Sequence, residues 1–164
     1  MKRIVLDTNC LLMSLPKNSP YREIWNAFLD GRIILCVSNE ILEEYLEIFS
    51  QKTTETIANN VISTILNRFN VVLITPYYKF ELIQADVDDN KFVDCAIAAG
   101  AEYLVSNDAH FRVLKSNTFP RVNIINLKSF LKVMQMNKPY CIDSETEEML
   151  NEAEVEYKTL GRNM

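Results

Sequence analysis

Three glycines, one histidine and no paired cysteines leave this chain of 164 residues without several common chemistries. Gly31, Gly100 and Gly161 are too far apart to form a G-x-G-x-x-G turn, so a dinucleotide-binding fingerprint is excluded. His110 stands alone, and Cys10, Cys36, Cys95 and Cys141 form no C-x-x-C pair. A zinc site built from clustered Cys and His is therefore not expected, and the cysteines read as buried, reduced thiols. No apolar run approaches the roughly 20 residues that a membrane span needs. The apolar run of the N-terminus, Ile4-Val5-Leu6, stops at Asp7. A secretory h-region needs about 7–15 apolar residues, so the chain is predicted to be cytoplasmic. An excess of positive charge is also missing, since the net charge is −5. From Tyr140 onward there are seven acids and two bases, which leaves the first 139 residues balanced with fifteen of each. That balance permits nucleic-acid binding without arguing for it.

What is present is a succession of short apolar runs: Arg3–Leu6, Ile33–Val37, Val71–Ile74, Tyr103–Val105 and Val122–Ile125. They do not alternate between apolar and polar residues, which predicts strands buried on both faces. Between them lie segments with helical spacing, at 21–30, 38–49, 59–69, 90–101 and 126–136. Strands alternating with helices imply parallel pairing and right-handed crossovers. The expected fold is a three-layer α/β/α domain over residues 1–138, with a central, mostly parallel five-stranded sheet. Pro139 marks its boundary. Beyond it Met149, Leu150, Ala153, Tyr157 and Leu160 recur at helical spacing, predicting an acidic amphipathic helix in 139–164.

In open parallel sheets, ligands bind at the carboxyl ends of the strands. Asp7 directly follows the first strand, and Asp108 follows the fourth after Ser106 and Asn107. Either alone reads equally well as a helix N-cap. Both together point to a site. Asp94 is the only charge between Phe92 and Ala101, on the flank of a helix whose centre is apolar. Helix 38–49 carries Glu40, Glu43, Glu44 and Glu47. A helical wheel sets Glu40 and Glu47 opposite the apolar stripe and leaves Glu43 and Glu44 flanking it, without choosing between them. Several carboxylates without a histidine cluster suit hard cations such as Mg²⁺ or Mn²⁺. Such ions hydrolyse phosphodiesters by polarising a phosphoryl oxygen and acidifying a bound water.

The segments Ile4-Val5-Leu6-Asp7-Thr8-Asn9, Ser38 to Tyr45, Asp88 to Asp94 and Tyr103 to Asp108 resemble, in order and spacing, the motifs of PIN domains, over about residues 1–135. They are most similar to the prokaryotic toxin components related to VapC. The resemblance implies a Mg²⁺- or Mn²⁺-dependent ribonuclease with Asp7, Glu44, Asp94 and Asp108 as its acidic quartet, and it selects Glu44 over Glu43. It also implies support of the site by Asn9 and Ser106, an auxiliary acid at Asp89, a homodimer, an RNA substrate and a protein antitoxin. The alternative is a PIN scaffold kept for RNA or protein binding without catalysis. A dehalogenase-type phosphatase also starts with a strand ending in Asp, but it needs a second Asp where this chain has Asn9. His110 reads as a surface or capping residue.

Overall fold

The short Ile- and Val-rich runs assemble into one sheet in a computed structural model that describes residues 1–137. The strands are β1 (Lys2–Leu6), β2 (Ile33–Val37), β3 (Val71–Leu73), β4 (Tyr103–Val105) and β5 (Ile124–Ile125). Their order is β3-β2-β1-β4-β5, and every neighbouring pair is parallel. The sheet is thus wholly rather than mostly parallel. Ile4, Val5 and Leu6 of β1 are buried, as befits a strand with a neighbour on each side. The edge strand β3 departs from the expectation of burial on both faces, because Val71 and Val72 are half-buried and Leu73 is exposed.

Among the described residues six α-helices flank the sheet in a three-layer arrangement: α1 (Thr8–Ser14), α2 (Arg22–Leu29), α3 (Asn39–Lys52), α4 (Glu55–Leu66), α5 (Asn90–Ala99) and α6 (Leu127–Met136). Short 3-10 segments occupy Val87–Asp89 and Ala109–Ser116. Local chemistry sets several boundaries. The Ser38 hydroxyl accepts from the Ile41 amide, and Thr54 does the same for Ile57, so α3 and α4 both begin with side-chain caps. The Thr54 cap starts α4 four residues before its expected onset at 59. Helix α1 has no counterpart among the expected helices, because seven residues are too few for a period of 3.6 to stand out. Helix α5 stops at Gly100, whose φ of 59° is left-handed. Cys10, Cys36 and Cys95 are buried free thiols, as expected. The predicted tail helix lies outside the described residues.

Two features of this frame position the site. The order of the strands reverses between β1 and β4, which opens a crevice at their carboxyl ends. The ladder there continues past the strands, since the Asp7 amide donates to the Val105 carbonyl at 3.0 Å and the Ser106 amide to Ile125 at 3.0 Å. The chains carrying Asp7 and Ser106 are thereby held side by side. Helix α3 is tied to the same place, because the Tyr45 hydroxyl donates to the carbonyl of Leu6, the residue before Asp7. Tyr45 is fully buried and stacks on Phe49 with ring centroids 5.7 Å apart.

Gly100 allows a clean test of the backbone. A Cβ there would meet no atom within 4 Å, so Gly100→Ala perturbs conformation alone. It should destabilise the protein by roughly 1–2 kcal/mol in urea unfolding, the strain of a left-handed L-residue. An unchanged midpoint would contradict the assigned conformation.

Candidate active site

Asp7 sits at the N-cap of α1 but makes no capping hydrogen bond with its side chain. Its carboxylate turns instead toward β4 and accepts from the Ser106 hydroxyl at 2.8 Å. It is 7% exposed. Burial pushes its pKa upward; the Ser106 bond works against that, while the charges of Glu44 and Asp108 add to it. A buried carboxylate beside two like charges is a group in want of a cation.

Glu44 reaches this point from α3. Its Oε1 accepts from the Thr8 hydroxyl, and its Oε2 is paired with the Lys91 ammonium. Glu43 is exposed, so the fold separates the two glutamates that the helical wheel left equivalent. Tyr45 contributes to the separation by anchoring the adjacent position of the helix to β1.

Asp108 arrives from the end of β4. Its amide donates to the Ser106 hydroxyl at 3.0 Å, so one serine connects Asp7 and Asp108. Asp108 is also a cap, with Oδ1 accepting from the His110 amide at 2.9 Å. Capping and clustering therefore coexist at this residue.

The other acid in this group is Asp89, at the start of α5. Its pKa is pushed up to about 6 by burial first, opposed by a hydrogen bond to His110 and reinforced by the charges of Asp86, Asp108 and Asp7. His110 Nδ1 lies 3.2 Å from Asp89 and 3.4 Å from Asp108. Asp86, Asp89 and His110 bring one potential ligand atom each within 4.8 Å of one another. Asn90 shapes this corner. Its side chain accepts from the Ile83 amide and donates to the Ile83 and Val87 carbonyls, folding the preceding loop onto the helix.

Asp94, expected as a member of the quartet, lies deeper along α5 and lines the groove with Glu44 and Asp89. It lies five residues along α5 from Asp89, which at 1.5 Å per residue is about 7.5 Å further from the carboxyl edge. Its carboxylate accepts from the Phe80 amide at 3.1 Å. Burial raises its pKa; Phe80 and the Lys79 charge lower it, and its acidic neighbours are Glu40 and Glu81. The residue is 2% exposed and anchors the loop that follows β3. Among the described residues the charges of Glu44, Asp89 and Asp108 reach Asp7 or one another, while Asp94 joins Glu44 and Asp89 in the lining of the adjoining groove.

One supporting residue also differs from expectation. Ser106 bonds to Asp7 as anticipated, but Asn9 is exposed at the start of α1. Thr8, buried and bonded to Glu44, is the residue of that turn that reaches the acids. Neither Thr8 nor Lys91 was singled out from sequence, since a single threonine or lysine carries no pattern. Beside the acids lies a groove of about 760 Å³ whose walls include Glu40, Glu44, Asp86, Asp89, Lys91 and Asp94.

The all-parallel sheet with carboxylates gathered at its switch point defines an α/β protein built around an acidic site. Its family is shown by the sequence, because the PIN domain family model matches residues 3–110. The chain belongs to the PIN domain family. It is 29% identical over 132 residues to an uncharacterized protein of Methanocaldococcus jannaschii, covering 77% of this chain and 84% of that one. Its fold resembles that of VapBC2 from Rickettsia felis, solved bound to a DNA fragment from the promoter, with a TM-score of 0.54. The identity there is 20%, over 76% of this chain and 98% of that one. DNA-bound VapBC from Salmonella typhimurium is similar at a TM-score of 0.53 and 20% identity, over 77% and 99% of the two chains.

Two predictions separate the aspartates of α5. The folded state holds the Asp89 proton more tightly than the unfolded state does, so stability from this group is present at low pH and is lost as pH rises from 3.8 through about 6. In metal-free buffer, Asp89→Asn should therefore gain stability relative to the parent between pH 4 and pH 7.5. A gap independent of pH would contradict the assignment. Asp94→Ala should instead be less stable at neutral pH by about 1–3 kcal/mol, because the Phe80 amide loses its buried acceptor. Urea unfolding of both variants provides the comparison.

Proposed function

We propose that this protein is a divalent-metal-dependent endoribonuclease and the toxin component of a toxin–antitoxin pair. The observation that supports this reading is that Asp7 feels the charges of Glu44 and Asp108, and Asp89 those of Asp108 and Asp7, at the carboxyl ends of β1 and β4. The donor chemistry fits Mg²⁺ or Mn²⁺, because the potential ligands are almost all carboxylate oxygens and the Asp7 pKa is raised by burial first and then by its like-charged neighbours. Asp7, Asp89 and Asp108 would hold the ion, with Glu44 completing the site; Asp86 and His110, whose ligand atoms lie within 4.8 Å of each other and of Asp89, are the alternative set. Bound there, it would supply Lewis-acid activation of a phosphoryl oxygen and a more acidic water.

The chain's own residues set the geometry for that chemistry. Ser106 fixes Asp7 and the backbone of Asp108 together, so two carboxylates stay at one end of the crevice. Thr8 orients Glu44, which makes Glu44 the group best placed to align an attacking water. His110 braces Asp89 and Asp108 from the solvent side. The acidic groove beside the site would repel a polyanion, so phosphodiester binding there requires cations to offset the wall charge.

Membership of the PIN domain family supports nuclease chemistry, and the likeness to two VapBC complexes supports an antitoxin partner. A homodimer and a cytoplasmic setting belong to the same reading. Among the described residues no helix is long and apolar enough to cross a membrane.

The test is Mn²⁺-dependent cleavage of an RNA pool by the purified full chain. Asp7→Asn and Asp89→Asn should each abolish cleavage, whereas Asp94→Asn should retain it. Loss of cleavage in Asp94→Asn with a folded protein would return Asp94 to the site. Saturating Mn²⁺ should also stabilise the parent, by about 2.7 kcal/mol at a hundredfold excess over Kd. A PIN scaffold without a working site would show neither effect.

A further inference from the structure

Lys91 is in an unusual place for a cation. It lies in the first turn of α5, where the positive end of the helix dipole disfavours positive charge. Its side chain is only 13% exposed, although lysine normally keeps its ammonium in water. Among the described residues it is the only lysine or arginine paired with one of the clustered carboxylates. Its partner is Glu44 Oε2, while Asp88 stands 3.8 Å away. The acids therefore draw the lysine inward against both dipole and desolvation.

With Oε1 bonded to Thr8 and Oε2 to Lys91, each oxygen of Glu44 already has a partner. We infer that Lys91 is the stand-in cation of the metal-free site: its ammonium neutralises Glu44 until a divalent ion enters and displaces it. The inference rests on the metal-dependent reading above. The displaced ammonium, on a flexible four-carbon stem, is then free for the groove, where phosphate is the chemistry that it suits. Lys91 is a positioning residue in this account. It acts on metal occupancy through Glu44, so it competes with the ion rather than ligating it.

The competition has a direction that a purely structural lysine would not produce. Lys91→Met should lower the melting temperature of the metal-free protein, since Glu44 is left uncompensated. The same variant should bind Mn²⁺ roughly tenfold more tightly by calorimetry, because one repelling unit charge has gone. Lys91→Arg keeps the charge and should bind Mn²⁺ like the parent. A parent that binds Mn²⁺ beside a Lys91→Met variant that binds it equally or more weakly overturns the stand-in role alone. Absence of binding in all three proteins overturns the metal reading itself and this inference with it. Wild-type protein labelled with ¹⁵N-lysine gives a check that does not depend on the folding of a variant. Mg²⁺ should shift the Lys91 ammonium resonance and speed its exchange with water, and an unmoved resonance would count against displacement.

Discussion

Like charges held near one another at the carboxyl edge of the sheet are the constraint on which this structure turns. Neighbouring carboxylates repel each other, and burial adds to the penalty on Asp7 and Asp89. The fold maintains them through covalent position and hydrogen bonds. Asp7 and Asp108 emerge from adjacent parallel strands, and Ser106 connects the two. Glu44 is brought in by a helix bonded to β1 through Tyr45. Asp89 enters at the head of α5, on a loop pinned by Asn90. The hydrophobic core supplies the rigidity that keeps these elements from relaxing apart. The raised pKa values of Asp7 and Asp89, set by burial first and by acidic neighbours second, are the local expression of that conflict.

The same constraint explains residues that would otherwise look incidental. Lys91 and His110 both lie against the acids, one paired with Glu44 and the other bridging Asp89 and Asp108. Thr8 donates to Glu44 from the first turn of α1, a helix whose N-cap side chain is withheld from capping. The groove beside the site carries the acidity outward along α3 and the loop before α5. These features follow from concentrating negative charge at one edge of a sheet.

Strand-end position made Asp7 and Asp108 legible in the sequence, because a residue directly after a buried strand has little freedom in where it goes. The sheet was legible for the same reason, its strands being continuous apolar runs. Glu44 was not separable from Glu43 by periodicity. Its selection came from the resemblance, and the tie of Tyr45 to β1 is the physical basis visible in the fold. Asp94 drew attention as a lone charge in an apolar run, and that pattern reports its burial. Its carboxylate serves the Phe80 amide. Asp89 sits among other acids in Asp86, Asp88 and Asp89, where sequence offers no contrast. Only the position of the α5 N-terminus at the sheet edge distinguishes it. Helix α1, with seven residues, was too short to register as a period.

The central claim is that four particular carboxylates form one cation site. A crystal structure of the full chain soaked in Mn²⁺, with anomalous scattering to place the ion, tests it most directly. The account predicts manganese between β1 and β4, with Asp7, Asp89 and Asp108 as ligands and Lys91 withdrawn from Glu44. Manganese coordinated by Asp94, or none in the crevice at saturating concentration, would contradict it.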